Sequence, residues 1–306
     1  MRGIWLAMFA VPVLAQIPAT TEQAAELKQM AAAASKLPLQ RSELPVSVPL
    51  EMVSSVATDG KGTFYLLQRG AQSDPVIAVD RSGRMLRSWG RGLYRIPHSI
   101  RVDPRGNVWT TDAASSMVYQ FTAQGKKLLE ISVGEIPEGR SEFRGTTDIA
   151  FGPNGRVFIS DGYGNNRILE YNQQGKRVRQ WGEKGTGPGQ FHLPHGIAID
   201  ERNIVYVADR ENGRIQSFDL NGRFLGMWTN LGKTFSLSIE GGALWIGTQP
   251  RNEPNGAPGW LMKVDRDSGK VLGVVESTGH HSVAVMPGGE LLTGTRPDKV
   301  LWFRRK

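Results

Sequence analysis

A short two-strand pattern recurs six times along this chain, and the recurrence constrains the fold more tightly than any other feature. The copies read "SSVATDGKGTFYLLQRG" from Ser54, "HSIRVDPRGNVWTTDAA" from His98, "TDIAFGPNGRVFISDGY" from Thr147, "HGIAIDERNIVYVADRE" from His195, "FSLSIEGGALWIGTQP" from Phe235 and "HSVAVMPGGELLTGTRP" from His281. Each copy has an alternating apolar strand, a turn rich in Asp, Pro, Asn and Gly, and a second strand of β-branched or aromatic residues, which is hairpin chemistry. Most copies continue into a second hairpin, as in "RIQSFDLNGRFLGMW" at 214–228, making four strands per unit. Such a unit cannot bury both faces alone, so copies at this spacing must stack on one another, and four-stranded units arranged radially form a propeller. The expected fold class is all-β, a six-bladed β-propeller over residues 45–306. The last copy stops at "KVLWFRRK", so the segment "PVSVPL" at 45–50 is expected to supply its outermost strand and close the ring.

Upstream of the repeats, Met1 and Arg2 precede the apolar run "IWLAMFAVPVLA", which ends in small residues at Ala15. A charged start, a short apolar core and a small-residue cleavage site predict a signal peptide over 1–15 and a secreted or periplasmic protein. The run is too short for the roughly 20 apolar residues a membrane span needs. Residues 16–44 are expected to be a lead-in, with helix formers over 20–37 and prolines at 38 and 45 breaking them. The chain has no cysteine, which excludes disulfides and thiolate metal sites. Its formal charge of +8 is scattered through turns such as "RSGR" and "QQGKR", without the sustained basic run that nucleic acid binding requires. A soluble monomer acting on a small molecule or peptide is the expectation.

In a radial array the first strand of each unit lines the central channel, so the residue opening each first strand faces the axis. Those positions are Ser54, His98, Thr147, His195, Phe235 and His281. Histidine therefore occupies the second, fourth and sixth units, a third of a turn apart, in a chain with five histidines. Three imidazoles converging in this way supply three nitrogen ligands and leave a fourth coordination position open, the arrangement of catalytic zinc. Ligand type favours Zn²⁺ and leaves Cu, Co and Fe open. His192 lies in the loop before its strand, and His280 neighbours His281 on the opposite face of an extended chain. Just beyond the second-strand ends lie Arg69, Tyr163 and Arg210, expected at the same channel mouth. Asp112, Asp161 and Asp209, which end second strands, are expected to bond backbone amides in turns.

Two resemblances bear on these residues. "VYVADRENGRIQSFD" and "VFISDGYGNNRILEYN" resemble NHL-type propeller repeats. "IPHSIRVDPRGNVWTTD", "TDIAFGPNGRVFISDGYGNNRI", "FHLPHGIAIDERNIVYVADRENGRIQSFD" and "HHSVAV" resemble the peptidyl-α-hydroxyglycine α-amidating lyases, zinc propellers that cleave a C-terminal α-hydroxyglycine to an amide and glyoxylate. The resemblance implies zinc on His98, His195 and His281, with Tyr163 as base, Arg69 favouring its phenolate and Arg210 holding a substrate carboxylate. It also shows departures. The family's aspartate after the last zinc histidine is Ser282 here, so its structural calcium is not implied, and the family's methionine two residues before that histidine is Gly279. The family's disulfides and its copper monooxygenase domain have no counterpart in these residues. Two other readings stay open: a lactonase-like hydrolase, which would line the channel with carboxylates and Asn around Ca²⁺, and a non-catalytic propeller that binds peptides or proteins.

Overall fold

A computed structural model of the chain describes residues 20–134, 141–295 and 298–305, so the leader expected at 1–15 lies outside the described residues. Six antiparallel sheets of four strands each follow one another. The first five blades run from Met52–Thr58 to Met85–Trp89, from Pro97–Val102 to Lys127–Ser132, from Asp148–Phe151 to Arg177–Trp181, from Pro194–Ile199 to Phe224–Trp228, and from Lys233–Glu240 to Val271–Ser277. The sixth holds Ala284–Val285, Leu291–Thr295 and Lys299–Arg305. Its fourth strand comes from the other end of the chain, as the repeat arithmetic requires, but from a different segment.

Leu39–Glu43 is the closing strand, pairing with Lys299–Arg305 from Leu39 opposite Arg305 to Glu43 opposite Leu301. The expected segment 45–50 carries prolines at 45 and 49, which have no N–H for a ladder and interrupt pairing. "LQRSE" is free of proline. The displaced segment instead lays Val46, Val48 and Leu50 against the seam between blades six and one. The propeller accordingly begins at Leu39 rather than 45. The lead-in helix spans Thr20–Ala33, shorter than 20–37. Leu27 and Ala31, four apart on one face, are buried with Tyr206 and Val274 over blades four and five. Beyond it the chain bonds along blade five, with the Leu37 N–H donating to the Val274 carbonyl at 2.9 Å. Among the described residues no helix is long and apolar enough to cross a membrane.

Six apolar clusters lie between successive blades, which is where a closed ring of two-faced sheets must put its core. The innermost strands face the channel with one unpaired edge each, and unpaired backbone groups must find other partners. Side chains from neighbouring blades supply them. Ser55 Oγ accepts the Ile100 N–H at 3.1 Å, Ser282 Oγ accepts the Val56 N–H at 3.0 Å, and Asp148 accepts the Ile197 N–H at 3.2 Å. Arg101 crosses the channel, forked on Asp148 at 2.9 and 2.5 Å and donating to the Leu237 carbonyl at 3.1 Å.

Candidate metal centre

The axial positions owe their orientation to local irregularity. In the inner hairpins the register slips between Val53 and Ser55, Pro97 and Ser99, Pro194 and Ile197, and Thr234 and Ser236. Ser54, His98, His195 and Phe235 sit at these slips. A β-bulge re-aims a side chain while the strand continues, so the bulges turn the imidazoles of His98 and His195 toward the axis.

His98, His195 and His281 form a near-regular triangle, with ring centroids 4.9, 4.9 and 5.0 Å apart. One nitrogen from each lies within 4.8 Å of the other two. The intervening blades fix how the rings point. His98 Nδ1 lies 2.7 Å from the Thr147 carbonyl, His195 Nδ1 2.6 Å from the Phe235 carbonyl, and His281 Nδ1 2.9 Å from the Ser54 carbonyl. A carbonyl oxygen only accepts, so each Nδ1 carries the proton and each Nε2 keeps its lone pair. The even blades thus contribute imidazoles and the odd blades contribute the carbonyls that set the tautomer, an outer shell of the kind that orients metal-bound histidines.

Burial and neighbouring charge keep all three rings neutral. Burial is the main cause; His281 and Arg69 add to it at His98, and Arg210 and His98 at His195, holding both well below the usual histidine range. His281 is pushed down to about 3, by burial first and Arg69 second. Neutral imidazole is the form that binds a metal. No carboxylate joins the group among the described residues.

Tyr163 stands over two corners of the triangle, its hydroxyl 2.9 Å from His98 Nε2 and 3.3 Å from His195 Nε2. Arg210 follows the strand Val205–Asp209, bonds Glu211 at 2.8 Å, and lies 5.9 Å from the Tyr163 ring and 5.0 Å from Phe235. Arg69 ends the strand Phe64–Arg69, donates from Nε to the Pro97 carbonyl at 2.9 Å, and lies 5.1 Å from the Phe143 ring. All six residues singled out in the sequence therefore border one site. His192 is exposed in its loop. His280 is buried beside Gln249 Oε1 at 3.0 Å, apart from the triangle. Asp112 accepts the N–H groups of Ile96 and Ala114, and Asp209 that of His192, so these carboxylates do bond turn amides.

Sequence reasoning missed Phe143. Its ring lies 5.1 Å from Tyr163 and links that phenol to Arg69, yet it belongs to the connection between blades two and three and has no place in the repeat phase. The one available signal was an aromatic residue in a connection longer than the usual few residues.

A family profile described as a six-bladed beta-propeller matches residues 140–233. The chain is 29% identical over 247 residues to a probable peptidyl-alpha-hydroxyglycine alpha-amidating lyase of Caenorhabditis elegans, covering 75% of this chain and 69% of that protein. It is 34% identical over 198 residues to the peptidyl-glycine alpha-amidating monooxygenase of Mus musculus, covering 54% of this chain and only 20% of that protein. It is also 32% identical over 190 residues to NHL repeat-containing protein 3 of Homo sapiens, covering 57% of this chain and 54% of that protein.

Proposed function

We propose that this six-bladed β-propeller, similar in sequence to a probable peptidyl-alpha-hydroxyglycine alpha-amidating lyase and to an NHL repeat-containing protein, is a lyase splitting a C-terminal α-hydroxyglycine into an amide and glyoxylate. The observation that carries this reading is a triangle of neutral imidazoles, two buried and one half-buried, with a phenol at 2.9 and 3.3 Å from Nε2 of two of them. A lactonase-like site would show carboxylates at the same place, and a simple binding surface has no need of three oriented imidazoles.

The donor set fits a divalent metal, since three neutral nitrogens with fixed tautomers and no competing carboxylate suit zinc. His98, His195 and His281 would hold it, and it would supply Lewis acidity that lowers the pKa of the substrate's α-hydroxyl. The chain's own residues account for the rest. Tyr163, as phenolate, takes the proton of that hydroxyl. The O–H electron pair then forms the aldehyde C=O as the C–N bond breaks, and the departing amide nitrogen takes up a proton. The Arg210 guanidinium lies 5.9 Å from the Tyr163 ring, and Arg69 stands beyond Phe143, so two cations flank the phenol. Arg210 also offers a planar fork to the substrate carboxylate. The floor formed by Arg101 and Asp148 closes the channel below the triad.

The test is glyoxylate release from an α-hydroxyglycine compound by zinc-loaded protein. Tyr163→Phe keeps the ring and deletes one hydroxyl, so metal content stays unchanged while turnover falls by roughly 10² to 10⁴, the usual contribution of a positioned base. Retained turnover would remove Tyr163 from the chemistry, and no glyoxylate from the parent protein would overturn the reading.

A further inference from the structure

Beside His281 the channel mouth opens into a cleft of about 270 Å³ between blades five, six and one. Met52, Val53 and Phe235 form its apolar walls, and Gly256, Gly279 and Gly294 leave part of its lining bare. Two of those glycines are required by close approach of the backbone. A Cβ on Gly279 would meet the Gly294 carbonyl oxygen at 2.6 Å, and one on Gly294 would meet Val53 Cγ1 at 2.7 Å. The outer wall is held rigidly by Gln249, which donates to the Pro254 carbonyl at 2.7 Å and accepts from the Gly256 N–H at 2.9 Å and from His280 Nε2 at 3.0 Å. A preformed wall avoids the ordering cost of binding.

Position around the ring says what enters. Tyr163 and Arg210 belong to blades three and four, and they crowd that side of the triad. Blades six and one lie diametrically opposite, so a substrate whose reacting carbon and carboxylate face Tyr163 and Arg210 leads its remaining chain past His281 into the cleft. No acidic side chain lines the cleft among the described residues, and the Arg69 guanidinium borders it. A cationic side chain therefore meets no carboxylate among the described lining residues and lies next to the Arg69 guanidinium, while an apolar one meets Met52, Val53 and Phe235. The volume is at the small end for ligand pockets, enough for one side chain.

We propose that this cleft is the subsite for the residue preceding the reacting glycine and that it selects an apolar side chain over a cationic one. The direction of substrate entering it rests on the lyase reading; its chemistry rests on the cavity. The experiment is calorimetry on zinc-loaded protein with N-acetylphenylalaninamide, N-acetylglycinamide and N-acetyllysinamide, in the parent and in a variant at Asn255, an exposed residue of the cleft lining, where Asn255→Trp is expected to fill the cleft. The phenylalanine amide should bind at least about ten-fold tighter than the other two, the usual worth of an occupied apolar pocket. The variant should erase that ratio with metal content and melting temperature unchanged. Equal affinities in the parent, or a preference that survives Asn255→Trp, would overturn the proposal. Glyoxylate release is measured in parallel: if no α-hydroxyglycine is cleaved, the reaction is wrong, while a phenylalanine preference lost in Asn255→Trp still assigns the cleft.

Discussion

Replacing Asp148 with alanine tests whether the floor of the site is held as the structure indicates. The carboxylate accepts from Arg101 at 2.9 and 2.5 Å, from Ser99 Oγ at 2.5 Å and from the Ile197 N–H at 3.2 Å. The two side chains are 15% and 5% exposed, so the pair is buried and its loss is not softened by solvent as a surface pair's would be. Removing one partner leaves a guanidinium without its counter-ion, at a cost of about 3 to 5 kcal/mol. The orphaned Ile197 N–H adds about 1 kcal/mol more. At about 2.1 cal/mol/K of unfolding entropy per residue, a chain of 306 residues shifts its melting temperature by roughly 1.6 °C per kcal/mol, so a fall of about 6 to 10 °C is expected. Thermal unfolding followed by circular dichroism reads it. The control is Arg101→Met combined with Asp148→Leu, which replaces the pair by apolar groups and should recover most of the loss, because a buried pair is expensive to break and cheap to replace. A single variant costing less than about 1 kcal/mol, or a double variant worse than the single, would refute the argument. Asp148 also follows Thr147, whose carbonyl holds His98, so the single variant should bind zinc more weakly.

His195→Ala should lose the metal that the parent retains, while His192→Ala keeps it; native mass spectrometry distinguishes them, and the reverse order would break the assignment of ligands. Arg210→Lys keeps the charge but loses the planar fork, so KM for a carboxylate substrate should rise about ten-fold with little change in metal content. The metal-free protein should lose stability as pH falls from 7 to 5. The unfolded chain takes protons near 6.5 that the folded triad refuses, because its histidines titrate far lower, His281 at about 3. Each such group contributes stability that is complete above 6.5 and declines by roughly 1.4 kcal/mol per unit below it. Urea midpoints at pH 7, 6 and 5 measure the effect, and a midpoint that rises toward pH 5 would contradict it.

The amino-acid sequence by itself determined the architecture and the identity of the axial residues. Hairpin chemistry is local, so alternation and turn residues within each copy predict its strands, and six copies permit a ring whose axial positions can be counted. That count placed His98, His195 and His281 together, although 97 and 86 residues of chain separate them in turn. What depends on contacts between distant segments was decided only by the tertiary structure. The closing strand shifted to Leu39–Glu43 because a ladder partner needs free N–H groups, which prolines 45 and 49 deny. The bulges that aim His98 and His195, and the carbonyls of Ser54, Thr147 and Phe235 that set the tautomers, follow from how one blade meets the next. Phe143 and the cleft beside His281 lay beyond reach for the same reason. A ring contact and a cavity are properties of packing between blades, and no local pattern of residues encodes the empty space that remains.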